Sequence, residues 1–110
     1  MVREFIYTKE FDTLWKNLAM KADDLIPVEN ELIVNPSKGR VIKGTKSLRK
    51  LRWKIPGKGK SGGIRILYVD FPKKSLLFFI TLLKKNEEEN ISSADKKIIN
   101  KFIKELENNL

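Results

Sequence analysis

The chain has 110 residues, 41% hydrophobic and 9% aromatic, enough for one modest core and a single domain spanning residues 1–110. It contains neither cysteine nor histidine, which excludes disulfides, thiolate metal sites, cysteine nucleophiles and the usual general base together. Its net charge is +9, no apolar run reaches bilayer length, and the N-terminus lacks a secretory layout, so a cytoplasmic protein with polyanionic partners is expected.

Val2 to Thr8 reads as a short first strand, with Phe5 and Tyr7 on one side. Thr8 can cap the helix that follows, in which Phe11, Leu14, Trp15 and Leu18 recur at helical spacing. A second helix is expected from Asp23 or Asp24, with Pro27 in its first turn and Val28, Leu32 and Ile33 facing inward. Asn35-Pro36 ends it, because the residue before proline avoids the helical region, and Gly39 supports a turn.

From Ser47 to Ile55 the pattern alternates: Leu51, Trp53 and Ile55 point one way, Lys50, Arg52 and Lys54 the other. Pro56 to Gly63 is too glycine-rich for a strand and reads as a loop. Ile64 to Phe71 and Ser75 to Leu83 are strands joined by a tight turn at Pro72-Lys73-Lys74, close enough in sequence to pair antiparallel. Ser92 and Asp95 resemble a capping box for a last helix whose stripe is Ile98, Ile99, Phe102, Ile103 and Leu106. The order β-α-α-β-β-β-α predicts an α+β fold: a small antiparallel sheet with two N-terminal helices packed on it and a C-terminal helix.

The positive charge is concentrated. From Leu32 to Val69 there is no Asp or Glu, and eleven cations: Lys38, Arg40, Lys43, Lys46, Arg49, Lys50, Arg52, Lys54, Lys58, Lys60 and Arg65. The remainder carries twelve cations against fourteen acids. Ordinary solvated surfaces mix both signs, so such a block points to nucleic acid.

Three constellations could carry chemistry. Lys50, Arg52 and Lys54 share a strand face, where like charges repel unless an anion lies between them. The loop Gly57-Lys58-Gly59-Lys60-Ser61-Gly62-Gly63 superficially resembles a nucleotide phosphate loop. However, Lys54 stands where the first motif glycine belongs, and a strand follows where a helix is needed. The loop can still approach a phosphate backbone closely. Arg65, directly after the glycines, can hold a phosphate through two parallel hydrogen bonds while remaining ionised.

The runs Gly44-Thr45-Lys46-Ser47-Leu48-Arg49-Lys50-Leu51-Arg52-Trp53 and Gly57-Lys58-Gly59-Lys60-Ser61-Gly62-Gly63-Ile64-Arg65-Ile66-Leu67-Tyr68 resemble the core signature of RelE/HigB-type toxins of type II toxin–antitoxin systems, in the RelE/ParE superfamily. Asn35-Pro36, Gly39 and Lys85-Asn86-Glu87 match in place, so the resemblance covers nearly the whole chain. It implies a RelE-like fold and a metal-independent messenger RNA endonuclease that acts in the ribosomal A site and inhibits translation. In such toxins the 2′-hydroxyl attacks the adjacent phosphate, and no cofactor is expected. By position, the resemblance implies catalytic roles for Lys50, Arg52, Lys60, Arg65 and Lys85. Lys43, Lys46, Arg49, Lys54 and Lys58 become RNA-binding residues, with Lys38 and Arg40 assisting RNA or ribosome docking. Lys50, crowded by cations, is the expected general base.

The sequence departs from the family at Lys46 and Ser47, often glycines, and at Leu83, where many members carry tyrosine. The resemblance also implies a cognate antitoxin, often a helix-turn-helix DNA-binding protein. Two alternatives stay open: a non-cleaving or gyrase-targeting ParE-like toxin, and a nucleic-acid-binding module on the same fold.

Overall fold

A computed structural model of the chain describes residues 2–56, 63–85, 87 and 91–110. Strand β1 (Glu4–Tyr7) leads into helix α1 (Lys9–Asn17), where the Thr8 hydroxyl accepts from the Phe11 N–H at 3.1 Å and satisfies an orphan helix donor. A 3₁₀ turn at Ala22–Leu25 precedes α2 (Ile26–Val34), so the second helix starts two to three residues later than the expected start at Asp23 or Asp24. Pro27 fits the first turn, and Val28 and Leu32 are fully buried; Ile33 is half-buried.

Next come β2 (Arg40–Val41), β3 (Arg49–Lys54), β4 (Gly63–Phe71), a 3₁₀ turn at Pro72–Lys74, β5 (Leu76–Lys84) and α3 (Ser93–Asn109). The Ser92–Asp95 capping box of α3 forms as expected.

The five strands lie in the order β1-β5-β4-β3-β2. The β2–β3, β3–β4 and β4–β5 pairs are antiparallel, whereas β1 joins β5 in parallel. The sheet is therefore mixed. Helix α1 lies between β1 and its later partner, giving the chain a crossover that permits parallel addition. The two-residue strand β2 has no sequence signature, being too short to show alternation.

Each face of the sheet has its own core. On one, Phe11 and Trp15 of α1 and Leu25, Val28 and Leu32 pack on Leu51, Ile64, Ile66, Tyr68, Leu77 and Phe79. On the other, Ile103 of α3 packs on Leu48, Leu67, Val69, Phe71, Phe78 and Ile80, with Ile99 and Leu106 beside it. Ile98 and Phe102, expected in the buried stripe, are 68% and 36% exposed. Each precedes an inward residue, and one residue rotates a helical side chain by about 100°, which carries it off the contact face.

A β-bulge in β5 positions the site. Leu67 pairs with Thr81 and Tyr68 with Phe79, leaving Ile80 as the extra residue. The Thr8 hydroxyl donates to the Ile80 carbonyl at 2.6 Å. Beyond the bulge the side-chain alternation inverts. Leu77 and Phe79 face the α1–α2 core, as does Leu82, and Leu83 turns to the α3 side.

Candidate functional site

The α3 face of the sheet changes character along β4. Leu67 and Val69 belong to the apolar cluster, but two residues before Leu67 the same face presents Arg65. Arg65 stands directly opposite Arg52 on β3, and Lys50 stands opposite Leu67, so Lys50, Arg52 and Arg65 share this face. On the far side of β3, Arg40 pairs with Lys50. On the far side of β4, Arg65 pairs with Leu83. Directly opposed residues in antiparallel strands have Cβ atoms about 5 Å apart. Four cations thus occupy a short stretch of three adjacent strands.

Local sequence dictates this placement. Leu51 and Ile55 are buried on the α1–α2 side, which fixes the β3 register and turns Lys50, Arg52 and Lys54 to the opposite side. Ile64, Ile66 and Tyr68 fix β4 in the same way and send Arg65 across from Arg52.

Arg65 is 7% exposed, and its Nη1 donates to the Ile64 carbonyl at 3.2 Å. Burial, with the neighbouring Arg52 charge, pushes its pKa down, though a guanidinium remains ionised at any physiological pH. Half-buried Lys50 is also pushed down, first by desolvation and then by the charges of Arg52, Arg65 and Arg40. The cluster therefore combines fixed positive charge with an amine that releases its proton more readily than an ordinary lysine.

The other sequence candidates are dispersed. Lys54 is exposed and pairs with Gly63, one step beyond Arg52 on the same face. Lys85 is exposed, one residue past the end of β5. Lys43 is exposed between β2 and β3. Lys46 is fastened to α3: its N–H donates to Asn100 Oδ1 at 2.9 Å and its ammonium pairs with Glu107 at 3.1 Å. Arg49 lies on the opposite side of the sheet, where its Nη1 donates to the carbonyls of Gly39 at 2.7 Å and Ser37 at 3.3 Å. It anchors a turn instead of joining the cationic face. Lys58 and Lys60 lie outside the described residues.

Buried Tyr68 holds the same turn. Its hydroxyl donates to the Pro36 carbonyl at 2.7 Å and accepts the Gly39 N–H at 2.9 Å. Gly39 is required for close approach: a Cβ there would lie 2.8 Å from the Lys50 carbonyl oxygen and 2.9 Å from the Tyr68 ring. These residues carry no charge signal, so the sequence marks Tyr68 only as a core candidate.

Among the described residues, no group of three or more acidic side chains is placed to hold a metal ion. No helix among them is long and apolar enough to cross a membrane.

A small mixed sheet flanked by helices, with a convergent cationic cluster on one face, defines an α+β protein with one strongly positive sheet surface. The family model described as the RelE toxin of the RelE/RelB toxin–antitoxin system matches residues 6–109, and the chain belongs to this family. Its fold is similar to that of a double arginine-to-alanine mutant of E. coli toxin RelE in the free state, with a TM-score of 0.62 and 20% sequence identity. That match covers 89% of this chain and 99% of the other.

Proposed function

We propose that this toxin is a ribosome-dependent messenger RNA endonuclease that uses its own side chains in place of a metal. The observation that carries this reading is the pairing of Arg52 with buried Arg65, beside a Lys50 whose proton is loosened by burial and by three neighbouring cations. Neutral Lys50 takes the proton of the 2′-hydroxyl, and the 2′-oxygen attacks the adjacent phosphorus. The bond to the 5′-oxygen breaks, leaving a 2′,3′-cyclic phosphate and a 5′-hydroxyl end. Arg52 and Arg65 face the charge that builds on the phosphoryl oxygens, and preorganised cations aimed at developing charge are often the largest catalytic contribution. The family resemblance adds Lys60 and Lys85, either of which can protonate the leaving 5′-oxygen. RNA docking is assigned to Lys43, Lys46, Lys54 and Lys58; Arg49 serves it indirectly, through the turn it holds.

The same reading implies a cytoplasmic toxin restrained by a cognate antitoxin, a helix-turn-helix protein with acidic or apolar segments toward this face. Primer extension on translated messages after brief induction tests the activity. Discrete breaks within translated codons are expected from the wild type and none from Lys50→Arg, which keeps the charge but holds its proton. DNA damage without message cleavage would replace this reading with a gyrase poison.

A further inference from the structure

Beside the cationic cluster, at the edge of the sheet, lies a groove of about 330 Å³ lined by Lys38, Arg40, Lys50, Leu51 and Arg52. Among the described residues, β2 pairs with Arg49 and Lys50 alone, so β3 continues past it with no described strand on its outer side. One wall of the groove is β3. The other is the turn that carries Lys38, together with Arg40 at the start of β2.

That turn is held with unusual thoroughness for an exposed segment. Tyr68, fully buried, bonds both Pro36 and Gly39; Arg49 bonds the Ser37 and Gly39 carbonyls; Asn35 accepts the Ser37 N–H at 3.1 Å. Gly39 presses so closely on Lys50 that a methyl group would not fit. The backbone at Lys38 and Arg40 is therefore held in place relative to Lys50. A core tyrosine that holds the backbone flanking two exposed cations suits a site better than a solvated loop.

Resting on the ribonuclease reading above, we propose that Arg40 and Lys38 form a second phosphate subsite, which holds the backbone phosphate next to the one that Arg52 and Arg65 address. Arg40 is opposite Lys50, and Arg52 is two residues further along β3, a step of about 7 Å in an extended strand. This is the scale of the repeat between successive phosphates of an extended single strand, so neighbouring phosphates fall in neighbouring subsites. The two subsites differ in their counter-charges. Lys38 is ion-paired with Glu31, a carboxylate that competes with phosphate for the same ammonium. Glu31 makes the second subsite the weaker one, which lets cleaved RNA leave.

The test is titration of the full chain with a 2′-O-methyl RNA tetranucleotide, which cannot be cut, across a range of salt concentrations. Arg40→Ala and Arg40→Gln should each weaken binding severalfold. Each should also flatten the slope of log K against log salt by about 0.7, the loss of one single-strand phosphate contact. Glu31→Gln should tighten binding two- to threefold, and Lys38→Ala in the same chain should abolish that gain. Wild-type affinity and slope in both Arg40 variants, with folding intact by circular dichroism, would overturn the subsite. Glu31→Gln binding no tighter than wild type would overturn its Lys38 half. If the wild type cuts translated message while both Arg40 variants bind unchanged, the subsite falls and the function stands. If the Arg40 effects appear in a chain that cuts no message, the subsite stands and the function falls.

Discussion

Arg52 and Arg65 face each other across β3 and β4 as directly opposed residues on one face of the sheet, and Arg65 is nearly inaccessible to solvent. Like charges directly opposed across a sheet are destabilising, so the fold carries this pair at the expense of its own stability. Replacing exposed Arg52 with Leu should therefore raise unfolding stability by about 0.5 kcal/mol while reducing message cleavage at least a hundredfold. Urea denaturation and single-turnover cleavage on programmed ribosomes measure the two effects. A variant that gains no stability would show that the pair is not frustrated in the absence of RNA.

On the proposed mechanism Lys50 must be neutral to serve as the base, and its pKa is lowered from that of an ordinary lysine. The cleavage rate should consequently rise with pH and level off at a lower pH than an ordinary lysine amine would give. Burial is the first cause of this shift and the Arg52 charge the second, so Arg52→Ala should move the rising limb to higher pH as well as lowering the plateau. A pH–rate profile on ribosome-bound message reads both. An unchanged limb position would remove Lys50 from the role of base.

Tyr68→Phe leaves the Pro36 carbonyl and the Gly39 N–H without their buried partner, at a cost of about 1–3 kcal/mol. Because the hydroxyl secures the turn and not the reacting atoms, the variant should lose RNA affinity more than it loses the cleavage rate of bound RNA. Gly39→Ala should do the same more severely, since its methyl group meets backbone and a buried ring. Thermal unfolding together with separate measurement of kcat and KM distinguishes this from a loss of catalysis.

Leu83 completes the row Arg52–Arg65–Leu83 across the sheet. An aromatic ring there could stack on the base beside the scissile phosphate, and base stacking contributes about 1–3 kcal/mol. Leu83→Tyr is expected to raise the cleavage rate about tenfold. An unchanged rate would show that the leucine suffices for this toxin.

Glu29 supplies a prediction remote from the site. Its carboxylate accepts from the Tyr7 hydroxyl, and burial raises its pKa. The unfolded chain ionises near the usual value of about 4.3, before the folded chain does, so stability falls as pH rises through that interval. Glu29→Gln keeps an acceptor for Tyr7 and removes this loss. Its stability should match wild type in acid and exceed it at neutral pH, as checked by denaturation at both pH values.

The strands, helices and cationic block were legible because each rests on local pattern. Leu51 and Ile55 alternate with Lys50, Arg52 and Lys54, so burial of one set dictates exposure of the other; Thr8, Pro27 and Ser92 mark helix starts through their own chemistry. By contrast, alternation puts Arg49 on the Leu51 side of β3, but that its guanidinium holds the Ser37 and Gly39 carbonyls is visible only in the structure. Ile98 and Phe102 fit the helical period but lie one residue off the contact that α3 makes.

By itself the sequence determined the α+β composition and the faces shared within each strand, Lys50 with Arg52 on β3 and Arg65 with Leu67 on β4, because side-chain alternation within one strand is a local property. Tertiary structure alone decided the parallel seat of β1, the bulge at Ile80 that turns Leu83 toward Arg65, and the clamp of Tyr68 and Arg49 that sets Arg40 opposite Lys50. Each of these depends on which distant segments meet, and a pairing between segments leaves no periodicity in either of them.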